Sequence, residues 1–386
     1  MPSEYDQLTF YEFFAGGGMA RAGLGPEWRC LFANDFDEKK VEAYKANWGE
    51  KEIQLGDIHH LNVAELPGRP DMAWGSFPCQ DLSLAGNGAG LNGARSEAFW
   101  GFYRIVSGLR MEGRAPKVLV LENVVGALTS NGGKDFIELF RALHSIGYVY
   151  GALVLDARHF LPQSRPRLFI VAVRSDIPIS SNLTVEEPVR PWTSEALIRA
   201  HSKLPSYIRA RWRWWNLPAP LRSNVGLAEL IEPMPLDVPW HTPEETQRFL
   251  DMMSDANRKK VERAQSSGKR TVGAIYRRTR SQEGAKVQRA EIRFDDIAGC
   301  LRTPGGGSSR QFIMVVEGEL IRTRLLSSRE AARLMGLPDE YKLPANYNEA
   351  YHLLGDGLAV PAVRHLADNL LRRLLVSELP VCIAAE

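Results

Sequence analysis

A chain of 386 residues, 44% hydrophobic and 24% charged, can bury a substantial core, and its length fits two domains, with three as the upper end. Aromatics at 9%, 33 glycines and 23 prolines exclude a disordered, collagen-like or low-complexity chain. No apolar run is long enough to span a membrane, and the polar, acidic start MPSEYDQLTF is unlike a signal peptide, so neither insertion nor export is expected. The four cysteines (Cys30, Cys79, Cys300, Cys382) stand far apart without a CxxC. That spacing predicts neither a disulfide framework nor a metal cluster, and fits a reducing compartment. The net charge is +2, but the window from Arg258 to Arg293 alone carries +9, leaving −7 on the rest. Such a segment is either a polyanion-binding face or a solvated Lys/Arg-rich surface.

Residues 1–173 alternate apolar runs with helix-period segments, which predicts an α/β fold with a doubly wound, mainly parallel sheet. Expected strands are Leu8–Phe14, Cys30–Asn34, Met72–Gly75, Val118–Glu122, Val149–Leu155 and Leu168–Val173. Expected helices are Asp37–Ala46, Glu97–Leu109 (with Phe99, Phe102, Val106 and Leu109 on one stripe) and Asp135–Ile146. After Arg174 the composition changes: prolines accumulate and Trp192, Trp212, Trp214, Trp215 and Trp240 appear before the basic run. A smaller domain over 181–350 is expected there, with the tryptophans as its own core rather than as DNA readers. Further on, Ser328–Met335 reads as a helix capped by Ser328 and stopped at Gly336, and Pro361–Leu375 as a last helix with Val363, Leu366, Leu370 and Leu374 on its apolar stripe.

Four local patterns carry chemistry. Phe13-Phe14-Ala15-Gly16-Gly17-Gly18-Met19 follows the first strand and opens a helix. Glycines there serve either a tight turn alone or close backbone approach to a ligand. Asn34-Asp35-Phe36 ends the second strand, where a carboxylate can accept ribose hydroxyls and a ring can stack on a purine. Gly56-Asp57-Ile58 adds an acid placed to reach an adenine amino group. The second pattern, Gly75-Ser76-Phe77-Pro78-Cys79-Gln80, puts a thiol beyond the end of a parallel strand, ahead of a glycine-rich stretch (85–93) suited to a lid. The third, Leu121-Glu122-Asn123-Val124, ends the next strand. Partial withdrawal from water would raise the Glu122 pKa and make it a proton donor; a capping or salt-bridged role is the alternative. The fourth, Gln163-Ser164-Arg165-Pro166-Arg167, offers two guanidinium groups at the mouth of a strand, as oxyanion donors or as surface charge.

Together these motifs resemble the DNA (cytosine-5) methyltransferase family, in its order and at its spacing. Arg324–Pro338 is similar to the family's RxLTxxExxRLxGxP helix, and Tyr351–Val360 to its closing GNxV segment. The resemblance covers residues 8–174 and 322–375. It implies a Rossmann-like S-adenosylmethionine-dependent catalytic domain over 1–180 plus 351–386, and an irregular target-recognition domain over 181–350. Phe14, Ala15, Gly16, Gly18, Asp35, Phe36, Asp57, Ile58, Pro78 and Asp356 would hold the cofactor, leaving S-adenosylhomocysteine as product, without a metal. Cys79, Glu122, Arg165 and Arg167 would be catalytic. The thiolate adds to carbon 6 of a flipped-out cytosine, Glu122 assists at nitrogen 3, and Arg165, with Arg167 close by, donates to the carbonyl at carbon 2. The resemblance further implies duplex DNA as partner, a monomer on DNA, a paired restriction endonuclease, and a bacterial cytoplasmic setting. Departures are Glu12 for the common Asp, Met19 for a glycine, and Asp356 for the usual Asn. Competing readings are a tRNA cytosine-5 methyltransferase of the same architecture, a nicotinamide-dependent oxidoreductase, and a non-catalytic DNA-binding regulator.

Overall fold

The computed structural model describes residues 7–77, 97–220, 225–282, 285–303 and 310–376. They fall into two compact units. The first comprises 1–156, 166–220 and 362–386; the second comprises 157–165 and 221–361.

The first unit is built on a seven-stranded sheet of β1 (Leu8–Phe13), β2 (Trp28–Asp35), β3 (Ile53–Leu55), β4 (Met72–Gly75), β5 (Val118–Val124), β6 (Tyr148–Asp156) and β7 (Pro166–Arg174), in the order β3-β2-β1-β4-β5-β7-β6. The first five are parallel, and β7 runs antiparallel to both β5 and β6. Val118, Leu119, Val120 and Leu121 are all buried, the signature of a strand covered on both faces. One cover is the helix Glu97–Met111, whose predicted stripe of Phe99, Phe102, Val106 and Leu109 is buried. The helix Glu38–Trp48 begins where Asp37 accepts from the amides of Lys39 and Lys40, and the helix Lys134–Ser145 covers the far edge of the sheet.

The tryptophans depart from expectation. Trp192, Trp212 and Trp215 are buried in the first unit, beside a short ladder of β8 (Thr184–Val185) and β9 (Trp214–Trp215). Trp212 packs on Phe140 with centroids 5.1 Å apart, so it extends the core behind β6.

The second unit is more regular than its composition suggested. It holds an antiparallel sheet of β10 (Thr271–Gln282), β11 (Ala285–Arg293), β12 (Phe312–Glu317) and β13 (Leu320–Leu325), in the order β11-β10-β12-β13. Phe249, Val261, Ile275, Ile292, Phe312 and Met314 form its core. Trp240 takes the guanidinium groups of Arg322 and Arg324 over its ring at 4.6 and 4.7 Å. The helix Ser328–Leu334 is capped by Ser327 rather than Ser328, because Ser327 and Glu330 close a reciprocal capping box; Ser328 donates its amide to Asp237 instead. Near the C-terminus, helical residues run from Val360 to Leu375 through a π turn at Ala367–Leu371, with Val363, Leu366, Leu370 and Leu374 buried as predicted.

Candidate active site

All parallel strands of the first unit end on one edge, and the described ones among that unit's predicted site residues gather there. Phe14 (φ 57°), Gly16 (φ 55°) and Gly18 (φ 77°) adopt left-handed conformations that swing the chain from β1 into the helix Met19–Leu24. Gly18 is required for a second reason: a Cβ there would lie 2.3 Å from Nε1 of Trp48, whose indole N–H donates to the Gly17 carbonyl at 3.0 Å. Met19, the departure from the family pattern, is buried in the core.

Asp35 ties this turn to the end of β2. One carboxylate oxygen accepts from the Gly16 amide at 2.8 Å and the other from the Asp37 amide at 2.9 Å, while the Ala15 amide donates to the Asn34 carbonyl at 3.0 Å. Burial pushes the Asp35 carboxyl above the ordinary aspartate range, and the two backbone amides pull it partly back. Next to it the Phe36 ring is 67% exposed, available for stacking. Asn34 donates to the carbonyls of Gln54 and Gly56, which fixes the end of β3; Asp57 then accepts from the His59 amide at 2.9 Å, and Ile58 is buried. Phe14, Ala15, Gly16, Gly18, Asp35, Phe36, Asp57 and Ile58 thus line one stretch of the sheet's carboxyl edge.

Under the turn lies Glu12, which is buried, with Oε2 lacking a hydrogen-bond partner among the described residues. Burial pushes its carboxyl up to about 8, against the opposing pull of Arg21 and of the Arg21 and Ala20 amides. Periodicity could not single it out, because both faces of β1 are covered.

Two strands along, the register runs Phe13↔Gly75 and Gly75↔Leu121, so Glu122 stands roughly 10 Å across the sheet from the glycine turn. Glu122 is buried, with its Oε1 3.2 Å from Nε of Arg167. The antiparallel pairing of β5 with β7 brings them together, through Val124↔Arg167 and Glu122↔Phe169. Asn123 adds a contact that motif reading missed: its Nδ2 donates to the Phe77 carbonyl at 2.9 Å. Phe77 is the last described residue before Pro78 and Cys79, which, with the glycine-rich stretch, lie outside the described residues.

Arg165 and Asp356 belong to the second unit. Fully buried, Arg165 donates to the carbonyls of Leu301 (2.6 Å), Gly355 (2.8 Å) and Gly357 (2.6 Å). Gln163 works beside it, donating to the Leu334 carbonyl and accepting from the Leu301 amide. Asp356 accepts from the Thr303 hydroxyl. Among the described residues no cluster of potential metal ligands occurs, and no helix is long and apolar enough to cross a membrane.

A strand-end carboxylate beside a glycine turn, and a second carboxylate paired with an arginine two strands from that turn, stand along the carboxyl edge of one α/β sheet. The family model for C-5 cytosine-specific DNA methylases matches residues 8–372, and the chain belongs to that family. Its relatives include the type II methyltransferase M.BsuFI of Bacillus subtilis, 27% identical over 379 residues (97% of this chain, 75% of the relative). Another is M.HhaI of Haemophilus parahaemolyticus, 25% identical over 368 residues (94% of each chain). Among solved structures, the Dnmt2 methyltransferase of S. pombe shares the fold with a TM-score of 0.60 at 16% identity, covering 95% of this chain and 99% of its own. The protein is a DNA cytosine-5 methyltransferase; the oxidoreductase and regulator readings fall away.

Proposed function

We propose that the protein methylates cytosine within a specific duplex DNA sequence by transient covalent addition of Cys79 to carbon 6 of the base. The observation that supports this reading is the Asn123–Phe77 hydrogen bond, which anchors the chain two residues before Cys79 and two residues past the end of β4, the strand paired with β5 that carries Glu122.

The residues of the glycine turn fit S-adenosylmethionine. A buried carboxylate at a strand end, a backbone freed of side chains and an exposed ring suit ribose hydroxyls and a purine. When bound, that cofactor supplies an electrophilic methyl group on a sulfonium. Phe14, Ala15, Gly16 and Gly18 would hold it with Asp35, Phe36, Asp57, Ile58 and Pro78. Asp356, already engaged by Thr303, stays assigned from the motif alone.

Carbon 5 of cytosine is a weak nucleophile. Thiolate addition at carbon 6 turns the ring into an enamine, and Glu122 assists by holding a proton at nitrogen 3. Arg167 orients Glu122 through the ion pair. Arg165, whose described acceptors are the carbonyls of Leu301, Gly355 and Gly357, keeps its assignment to the carbonyl at carbon 2 from the motif alone. After methyl transfer a base removes the carbon-5 proton and Cys79 leaves. A stacked ring admits no such attack, so the target base is flipped out.

The first unit, which already includes most of the chain's last helix, supplies the catalytic domain, and most of 181–350 the target-recognition domain. The enzyme works as a monomer on DNA in a bacterial cytoplasm, paired with a restriction endonuclease. The test is bisulfite sequencing of plasmid DNA after incubation with S-adenosylmethionine, together with trapping on 5-fluorocytosine duplexes. A fixed methylated sequence and a denaturation-stable adduct are expected, both lost in Cys79→Ala. Turnover by Cys79→Ala at the wild-type rate overturns the covalent scheme.

A further inference from the structure

Strand β10 is longer than the sheet behind it. Its first residues, Thr271–Ile275, pair with β12, whereas its pairing with β11 runs on from Ala274↔Arg293 to Gln282↔Ala285. The last support is at Ala290, which is buried and donates its amide to the Met252 carbonyl at 3.1 Å. Past that point Arg278, Thr279, Arg280, Ser281, Lys286 and Gln288 are exposed. Five residues of β10 reach roughly 16 Å as a two-stranded arm. An isolated strand pair with polar residues on both faces adds little to folding, so its length needs another explanation.

Partners across an antiparallel pair share a face. Tyr276, Arg278 and Arg280 therefore stand with Glu291, Arg289 and Val287 on one side of the arm. On that side one carboxylate holds two arginines. Oε2 of Glu291 lies 3.3 Å from Nε of Arg278, and Oε1 accepts from Nε of Arg280 at 3.1 Å and also from its Nη2. The Arg278 guanidinium also sits 5.5 Å over the Tyr276 ring. Glu291 occupies the Nε edge of each guanidinium and leaves the terminal edge for another acceptor pair. A surface that only gripped phosphates would gain nothing from an acid among its cations, since the acid weakens attraction to DNA. An acid that fixes guanidinium direction makes sense where direction matters, as in bidentate pairing with O6 and N7 of guanine.

We propose that this arm enters the major groove of the target duplex, that Arg278 and Arg280 read guanines there, and that Glu291 is their positioning residue. The major groove, about 12 Å wide, admits a two-stranded ribbon. The inference rests on the reading of duplex DNA as substrate and adds which residues choose the sequence.

The experiment first maps the wild-type target by bisulfite sequencing. It then measures kcat/KM on duplexes bearing each single base-pair change, for wild type, Arg278→Ala, Arg280→Ala and Glu291→Gln, with folding checked by thermal melting. Each alanine variant should lose about 5- to 150-fold on the target, cease to discriminate at one G·C pair, and keep the wild-type salt slope. Glu291→Gln should blur discrimination at the same pairs while binding unrelated duplex more tightly. Unchanged discrimination at every position, or a uniform loss on all duplexes with a shallower salt slope, overturns the inference. If an alanine variant fails to fold, Arg278→Lys and Arg280→Lys, which keep the charge but lose the fork, decide by the same readout. Failure of the wild type to methylate any duplex is a separate result that overturns the duplex reading and the arm's role with it.

Discussion

Arg167 holds Glu122 through Nε, at 3.2 Å from Oε1, and it does so from an antiparallel strand in an otherwise parallel neighbourhood. The pair joins a residue that would act on the base to one that fixes its direction. Glu122→Gln should lower single-turnover methylation about 100- to 10,000-fold, the span of a lost acid–base group, with cofactor affinity nearly unchanged. Arg167→Ala should fall less, and Arg167→Lys should recover only part, because a lysine offers no planar donor edge. Equal rates for Glu122→Gln and wild type in rapid-quench assays would remove Glu122 from the chemistry.

Asn123→Ala deletes the donor to the Phe77 carbonyl and leaves that oxygen buried without its partner. A cost of about 1–3 kcal/mol is expected, drawn from local order near Cys79 as well as from global stability. Adduct formation on 5-fluorocytosine duplexes should slow at least tenfold while S-adenosylmethionine binding by calorimetry holds steady. Loss of cofactor binding instead would show that the hydrogen bond supports the whole sheet edge.

Gly18 and Trp48 are coupled by space. Gly18→Ala forces a Cβ against the indole at a left-handed φ of 77°, so both stability and cofactor affinity should drop. Pairing it with Trp48→Ala should relieve the steric part but not the backbone part. A double-mutant cycle by chemical denaturation should therefore show a coupling above about 0.5 kcal/mol, and strict additivity would refute the contact.

Glu12 sets a pH dependence of stability. Its carboxyl is raised to about 8 in the folded chain from an ordinary value near 4.5, so the native state binds the proton more tightly than the unfolded chain does. Stability from this group is fully present below the unfolded value and is lost as pH rises toward 8, at up to about 1.4 kcal/mol per pH unit. Denaturant midpoints should fall across that window in wild type and flatten in Glu12→Gln. A midpoint series of the same slope in both proteins would exclude Glu12 as the source.

The strands and helices of the first unit were legible because apolar runs and helix periods are local properties, and Val118–Leu121 or the Phe99–Leu109 stripe needs no partner to be read. The glycine turn and Asp35 were legible for the same reason, as neighbours of strand ends. Asn123 was quoted with its motif but its task was hidden, since an amide reaching a carbonyl 46 residues earlier depends on which strands lie side by side. The carbonyl partners of Arg165 were hidden by still longer separations, 136 to 192 residues. The tryptophans misled because a composition shift at residue 174 marks a change of chain character, whereas packing carries the first unit on to Pro220.

The chain leaves the sheet between Asp156 and Pro166 to lend nine residues to the other unit, so the two units are not separable at one seam. A hybrid enzyme made by transplanting 225–361 from a relative would leave the donor's loops facing a host Gln163 and Arg165 tuned to different carbonyls. Grafts that carry 157–165 along with the larger segment should fold and retarget, whereas grafts without it should precipitate or lose specificity.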